Sequence, residues 1–194
     1  TVTVYSPVLL GANPATYYSP AQIGTSSWSQ VTAGFYTTVA TKADGALFAW
    51  GYNASGAVGD SSIAPRSSPV QIGTSSWSLV SAGPDYAMGI KSNGTLWGWG
   101  ENLAGRLGIT PSTFSWTKIS IGNVHTLAIR SDNRLFAWGA NNLGQLGDGT
   151  TLDKSSPVFL SNASYTQVSA GNNSSYALRN DGALFAWGDN TNYQ

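Results

Sequence analysis

A tryptophan–glycine pair recurs four times along this chain, and the recurrence constrains the fold more than any other feature. The tryptophans are Trp50, Trp99, Trp138 and Trp187, at steps of 49, 39 and 49 residues. Each has a glycine 16 residues upstream: Gly34, Gly83, Gly122 and Gly171. Upstream of those runs an aromatic column of Trp28, Trp77, Trp116 and Tyr165. Three copies also carry an outermost segment, "SPAQIG", "SPVQIG" and "SPVFLS". The third copy has "GITPSTFSW" in its place, which accounts for the short step. A unit that recurs at this length buries its faces against its own neighbours, and is a structural module before it is an active site.

Within a copy the pattern reads as all-β. "SPVQI", "WSLVSA", "YAMGIK" and "TLWGWG" are short, rich in β-branched and aromatic residues, and bounded by Gly, Pro, Asn or Ser. The pairs Asp44-Gly45, Asn93-Gly94 and Asp181-Gly182 predict tight hairpins of type I′, with Asp132-Asn133 a weaker version. "LFAW" puts apolar residues on both faces, so that strand is covered on both sides. A four-stranded unit covered on both faces is a propeller blade packed between blades. The glycines of "WGANNLGQLG" (Gly139, Gly144, Gly147) recur at Gly51, Gly56, Gly59 and at Gly100, Gly105, Gly108. They predict tight reversals out of one blade and into the next; no helix follows them, as a phosphate-binding loop requires. The expected fold is an all-β propeller with about four blades visible, a partial ring or fragment. Its expected divisions are a partial preceding blade or linker over 1–18, repeat 1 over 19–67, repeat 2 over 68–113, repeat 3 over 114–155 without its outer strand, and a truncated repeat 4 over 156–194.

The combination "SPVQIGTSSWSLVSAG…G.L..WG.N..G.LG", and above all "WGANNLGQLGDGTT", resembles the regulator of chromosome condensation repeat family, over about residues 19 to 190. That resemblance implies a propeller, usually seven-bladed, with four antiparallel strands in each blade. A closed ring then needs further blades or a second subunit of the same assembly, and "YSPVLLG" near the start resembles another outer strand. Family members perform guanine-nucleotide exchange, chromatin docking, β-lactamase inhibition and ultraviolet sensing. Similar repeats occur in bacterial secreted proteins and phage virion proteins, so the fold leaves the function open.

Composition narrows the choice. Only 9% of residues are charged, and nine Lys+Arg balance nine Asp+Glu. That lacks the basic footprint of nucleic-acid binding, and no apolar run approaches a membrane span. There is no cysteine and one histidine, His125, whose counterparts are Thr37, Tyr86 and Ser174. A position that accepts those four types is expected to be structural, and neither a catalytic residue nor a metal or cofactor site is expected. Asp148 in "GDGTT" lacks the alternating acidic partners of a calcium loop. The basic column Lys42, Lys91, Arg130 and Arg179 is roughly cancelled by the acids Asp44, Asp132 and Asp181 two positions on and reads as a solvated hairpin edge. The N-x-S/T triplets at Asn53, Asn93, Asn162, Asn172 and Asn173 are discounted as glycosylation signals.

The copies differ most after the framework glycine (Phe35-Tyr36, Pro84-Asp85, Asn123-Val124, Asn172-Asn173) and after WG (Tyr52, Glu101, Ala140, Asp189). Variable turns on a rigid scaffold are where recognition sits. The expected binding residues are Phe35, Tyr36, Tyr52, Asp85, Tyr86, Glu101, Asn123, Asn172 and Asn173. The expected function is a non-enzymatic structural or interaction module of a larger extracellular or virion protein, such as a phage tail or fibre. Its expected partner is a protein or surface glycan. The alternative is an intracellular guanine-nucleotide exchange or chromatin-binding propeller.

Overall fold

The computed structural model describes residues 22–108 and 113–191; the expected preceding blade over 1–18 lies outside them. Thirteen strands are found among the described residues. The first blade comprises β1 (Trp28–Ala33), β2 (Thr37–Lys42), β3 (Ala46–Gly51) and the first half of β4 (Arg66–Ala82). The second half of β4 opens the second blade, followed by β5 (Tyr86–Lys91) and β6 (Leu96–Gly100). The third holds β7 (Trp116–Ile121), β8 (His125–Arg130), β9 (Leu135–Gly139) and β10 (Lys154–Ser161); the fourth holds β11 (Tyr165–Ala170), β12 (Ser174–Arg179) and β13 (Leu184–Gly188). Every pairing is antiparallel between neighbours, in meander order. The fold is a partial β-propeller of about four blades.

Two expectations need correction. The outer segment belongs to the blade before the one it was assigned to. Val70 pairs with Ala49 and Gln71 with Phe48, so "SPVQIG" is the outer strand of the first blade. Likewise Phe159 pairs with Phe136, giving the third blade its outer strand. Among the described residues the second blade therefore ends at β6 as an edge strand, as the fourth ends at β13. The physical reason is continuity: the chain returns antiparallel along the WG strand at the outer edge, then runs inward to start the next blade. β4 does both in one 17-residue strand.

The hairpin turns are also of another type. Type I′ needs positive φ at both central residues. Among Asp44-Gly45, Asn93-Gly94, Asp132-Asn133 and Asp181-Gly182, only the second residue has it, from 65° at Asn133 to 89° at Gly182. The N–H of Gly45 reaches Lys42 O at 2.9 Å, and Gly94, Asn133 and Gly182 repeat that bond. This is a type I turn closed by a left-handed residue in a bulge. The preceding Asp or Asn completes it: Asp44, Asn93, Asp132 and Asp181 each accept a bond from the backbone N–H two residues on.

The core lies between blades. Val39, Leu47, Ala49 and Val58 of the first blade pack on Trp77, Val80, Ala82 and Ala87 of the second. Met88 and Tyr86 of the second meet Trp116, Ile119, Ile121 and Trp138 of the third. The two tryptophan columns meet edge to face within a blade, as in Trp77–Trp99 at 5.7 Å and Trp116–Trp138 at 5.9 Å. The inner edges are satisfied across the same gaps. Ala82 N donates to Thr32 Oγ1, Ile121 N to Ser81 Oγ and Ala170 N to Ser120 Oγ, at 3.2, 3.2 and 2.9 Å. The innermost strands of the second, third and fourth blades thus each have an N–H met by a hydroxyl of the blade before, where an open sheet edge would leave it unpaired.

Candidate functional site

The variable turns are brought together by backbone pairing. Tyr52 N donates to Tyr36 O, Glu101 N to Asp85 O, Ala140 N to Val124 O and Asp189 N to Asn173 O, all at 2.9–3.0 Å. The residue after WG thereby sits beside the turn after the framework glycine in every blade. All four pairs share one end of the propeller, and the β2–β3, β5–β6, β8–β9 and β12–β13 hairpins occupy the other. At the axis, Phe35, Pro84, Asn123 and Asn172 surround a depression of about 400 Å³ floored by the framework glycines. Those glycines allow the blades to converge: a Cβ on Gly34 would collide with Gly83 O, and one on Gly122 with Gly171 O.

One sector of this end is aromatic. Phe35, Tyr36 and Tyr52 are 73%, 67% and 53% exposed. Their rings stack in sequence, edge to face, with centroids 6.2 and 5.9 Å apart. Three large rings held this openly are not needed by the core, and rings of this kind mark contact surfaces. The neighbouring sector presents Asp85, whose carboxylate has no partner among the described residues, and Glu101 in an ion pair with Arg106 at 3.2 Å. Asn123 and Asn173 are half-buried and Asn172 is exposed.

The repeat that builds this end matches the regulator of chromosome condensation (RCC1) repeat at residues 44–90 and 132–178. A second description of that repeat matches 28–57, 77–106, 116–145 and 165–194, together more than half the chain. The chain belongs to the regulator of chromosome condensation repeat family. No curated protein sequence matches it. Among solved structures, human WBSCR16 is similar over 89% of this chain at 22% identity, with a TM-score of 0.76. Yeast Prp20, solved bound to Kap60, is similar over 89% at 19% identity and a TM-score of 0.77. The chain spans 50% and 46% of the length of those two proteins, about half of each.

In this RCC1-repeat chain one expected site residue leaves the surface. Tyr86 is completely buried, and its hydroxyl donates across the blade gap to Gly122 O at 3.2 Å and His125 O at 3.0 Å. Arg106 lies over its ring at 5.2 Å, and burial pushes the phenol pKa far above the ordinary value. The position three after the framework glycine is buried in every copy, as Thr37, Tyr86, His125 and Ser174, so it varies without being exposed. Thr37 donates to Tyr52 O of its own blade at 2.8 Å, whereas Tyr86 bridges to the next blade. His125 does the same from the third blade, with Nε2 2.8 Å from Ser175 Oγ. Ser175 Oγ donates to Gln145 O at 2.7 Å, so it accepts from His125, which carries its proton on Nε2. Nδ1 is left buried and unpartnered beneath Gly122. Burial pushes the His125 pKa down to about 4.

The remaining candidates have internal work. Asp148 accepts from Thr150 N and Oγ1 and from Asn141, and pairs with Lys154 at 3.4 Å. Arg130 and Arg179 pair with Asp132 and Asp181; those hydrogen bonds hold both carboxyls down to about 2. Lys91 lies 3.7 Å from the centroid of the exposed Trp97, and Lys42 4.2 Å from that of Phe48. Asn53, discounted as a glycan acceptor, is fully buried. The asparagine of "WG.N..G.LG" is a structural residue that was not among the expected ones. Asn141 Nδ2 donates to Thr150 O and Asp148 Oδ1 at 3.0 Å, while its Oδ1 accepts from Leu146 N at 2.9 Å. Asn53 and Asn102 accept equivalent bonds from Val58 N and Leu107 N. The signal was its recurrence three after the tryptophan in "WGYN", "WGEN" and "WGAN".

Proposed function

We propose that this chain is a non-catalytic protein-interaction module whose variable loop end docks a partner. The observation that carries the reading is the exposed Phe35–Tyr36–Tyr52 stack, held by backbone bonds common to all four blades. A rigid scaffold of repeats that presents one non-repeating aromatic sector is built for contact. The family supports a protein partner: the solved structures of Prp20 name Kap60, Gsp1p and histones as what that protein binds. A surface glycan is the other occupant in keeping with exposed rings and asparagines.

A non-catalytic role is supported by the chemistry of the single serine–histidine pair. Ser175 and His125 are both completely buried, and the serine hydrogen points at Gln145 O rather than at the imidazole. That arrangement is the reverse of an activated nucleophile. The setting we propose is extracellular or virion-associated, such as a phage tail or fibre. Its support is a surface with few charges and much Ser, Thr and Asn. The second reading, an intracellular exchange factor or chromatin-binding propeller, draws on the similarity to Prp20.

The test compares the native chain with a Phe35→Ala/Tyr36→Ala/Tyr52→Ala variant. Retention of partner from the native source is expected to fall in the variant while its melting temperature holds. Retention that is unchanged sinks the reading. Accelerated nucleotide release from a small GTPase, or salt-dependent retention on DNA, moves it to the second.

A further inference from the structure

The zero net charge of this chain conceals a polar molecule. All eighteen formal charges fall on described residues, and the strand directions assign each to one end. The loop end carries six carboxylates (Asp60, Asp85, Glu101, Asp148, Asp153, Asp189) against three cations (Arg66, Arg106, Lys154). The hairpin end carries six cations (Lys42, Lys91, Lys118, Arg130, Arg134, Arg179) against three carboxylates (Asp44, Asp132, Asp181). The ends therefore hold net charges of −3 and +3. The loop end's cations are also the spent ones: Arg66 pairs with Asp60, Arg106 with Glu101 and Lys154 with Asp148. What stays uncompensated there is negative, and the unpartnered Asp85 lies in the sector next to the aromatic stack.

Exposed rings and uncompensated carboxylates favour the same guest. The face of an aromatic ring attracts a cation, guanidinium above all, and a nearby carboxylate adds long-range attraction. A neutral ligand would use the rings and gain nothing from the field; an anionic one would be repelled. The chain displays the ring–cation contact internally at its other end, where Lys42, Lys91, Arg130 and Arg179 lie over aromatic rings. At the loop end the rings of Phe35, Tyr36 and Tyr52 have no such cation among the described residues.

We infer that the loop end docks a cationic polypeptide segment, with Phe35, Tyr36 and Tyr52 receiving an arginine or lysine side chain and Asp85 and Asp189 drawing the segment in. This rests on the interaction-module reading and names its partner's chemistry. The opposite end, with its positive balance, is not the docking face.

The probe is fluorescein-labelled deca-arginine, with deca-glutamate and a ten-residue Gly-Ser peptide as controls, measured by anisotropy on the full chain. Deca-arginine is expected to bind at least about tenfold more tightly than either control at low salt, and to weaken severalfold between 50 and 300 mM NaCl as screening shortens the field. Phe35→Ala/Tyr36→Ala/Tyr52→Ala is expected to weaken it about tenfold, and Asp85→Asn to weaken it while flattening the salt dependence. Asp44→Asn and Asp132→Asn, at the hairpin end, are expected to leave it unchanged. Equal binding of the neutral peptide overturns the inference and leaves the interaction-module reading standing, because the face still docks a ligand. Deca-arginine binding that ignores the aromatic and Asp85 variants overturns it too. So does salt-sensitive self-association in the ultracentrifuge that Asp85→Asn abolishes, since a second copy's hairpin end is then the guest.

Discussion

Gly147 lies flat against the indole of Trp187, forty residues later in the chain and one blade on. A Cβ built on Gly147 would stand 2.6 Å from Trp187 Nε1. The same indole donates to Gln145 O at 2.9 Å. Trp99 and Trp138 repeat the arrangement, donating to Ala57 O and Arg106 O with Gly59 and Gly108 beneath the rings. The WG tryptophan of each following blade thus clamps the loop of the blade before it, and the loop glycine serves close approach as well as positive φ.

A comparison of two glycines separates those demands. Gly144 and Gly147 have φ of 72° and 74°, but a Cβ at Gly144 would meet nothing within 4 Å. Gly144→Ala is expected to cost about 1–2 kcal/mol, the strain of a left-handed L-residue. Gly147→Ala carries that strain and also displaces the Trp187 ring, so its loss is expected to be larger. Chemical denaturation of the two variants measures the difference, and equal losses would mean the ring contact contributes nothing.

Much of this was legible in the sequence, and each miss has its own physical cause. The repeat gave the blade, the two tryptophan columns and the buried histidine, because period and residue type report packing directly. Strand partnership was misread at the outer edge: "SPVQIG" precedes "WSLVSA" in sequence and yet pairs with "LFAWG", and adjacency along a chain does not say which neighbour supplies the hydrogen bonds. The turn type was misread because Asp-Gly fits a type I′ pair and a type I turn with a bulge alike, and only φ at Asp44 or Asp181 separates them. Tyr86 was misplaced because variability among copies was equated with exposure. The charge polarity was overlooked because a net charge is a sum, and Asp85, just before β5, and Lys91, at its last residue, sit at opposite ends.

Tyr86→Phe tests the bridging assignment. The variant keeps the ring and removes a hydroxyl that serves Gly122 O and His125 O in the dry gap between blades. It is expected to destabilise the chain by about 1–3 kcal/mol. Partner binding by the folded variant is expected to be unchanged, and a selective loss of binding without loss of stability would return Tyr86 to the recognition surface.

Exposure and burial make opposite predictions for two sets of aromatic residues. Phe35→Ala and Tyr36→Ala remove rings that are mostly in water, and each is expected to shift stability by no more than about 0.5–1 kcal/mol. Trp138→Ala empties a fully buried site and breaks the bond to Arg106 O, at an expected cost of about 3–5 kcal/mol. Thermal melts of the three variants check this; comparable losses would put Phe35 and Tyr36 in the core and remove them from the docking face.

His125 predicts an acid-sensitive stability. Its pKa falls from the ordinary 6.5 to about 4 on folding, because burial between the third and fourth blades disfavours the imidazolium. The unfolded chain therefore binds a proton between those values that the folded chain refuses. Stability is full above about pH 6.5 and declines as pH falls toward 4, with about 3 kcal/mol at stake across the window. His125 is the only histidine, so no other imidazole contributes to that slope. Urea denaturation at intervals from pH 7 to pH 5 is expected to show it in the native chain. His125→Thr, which installs the residue type of the first blade's Thr37, is expected to flatten it. A slope that survives in the variant would place the proton uptake elsewhere.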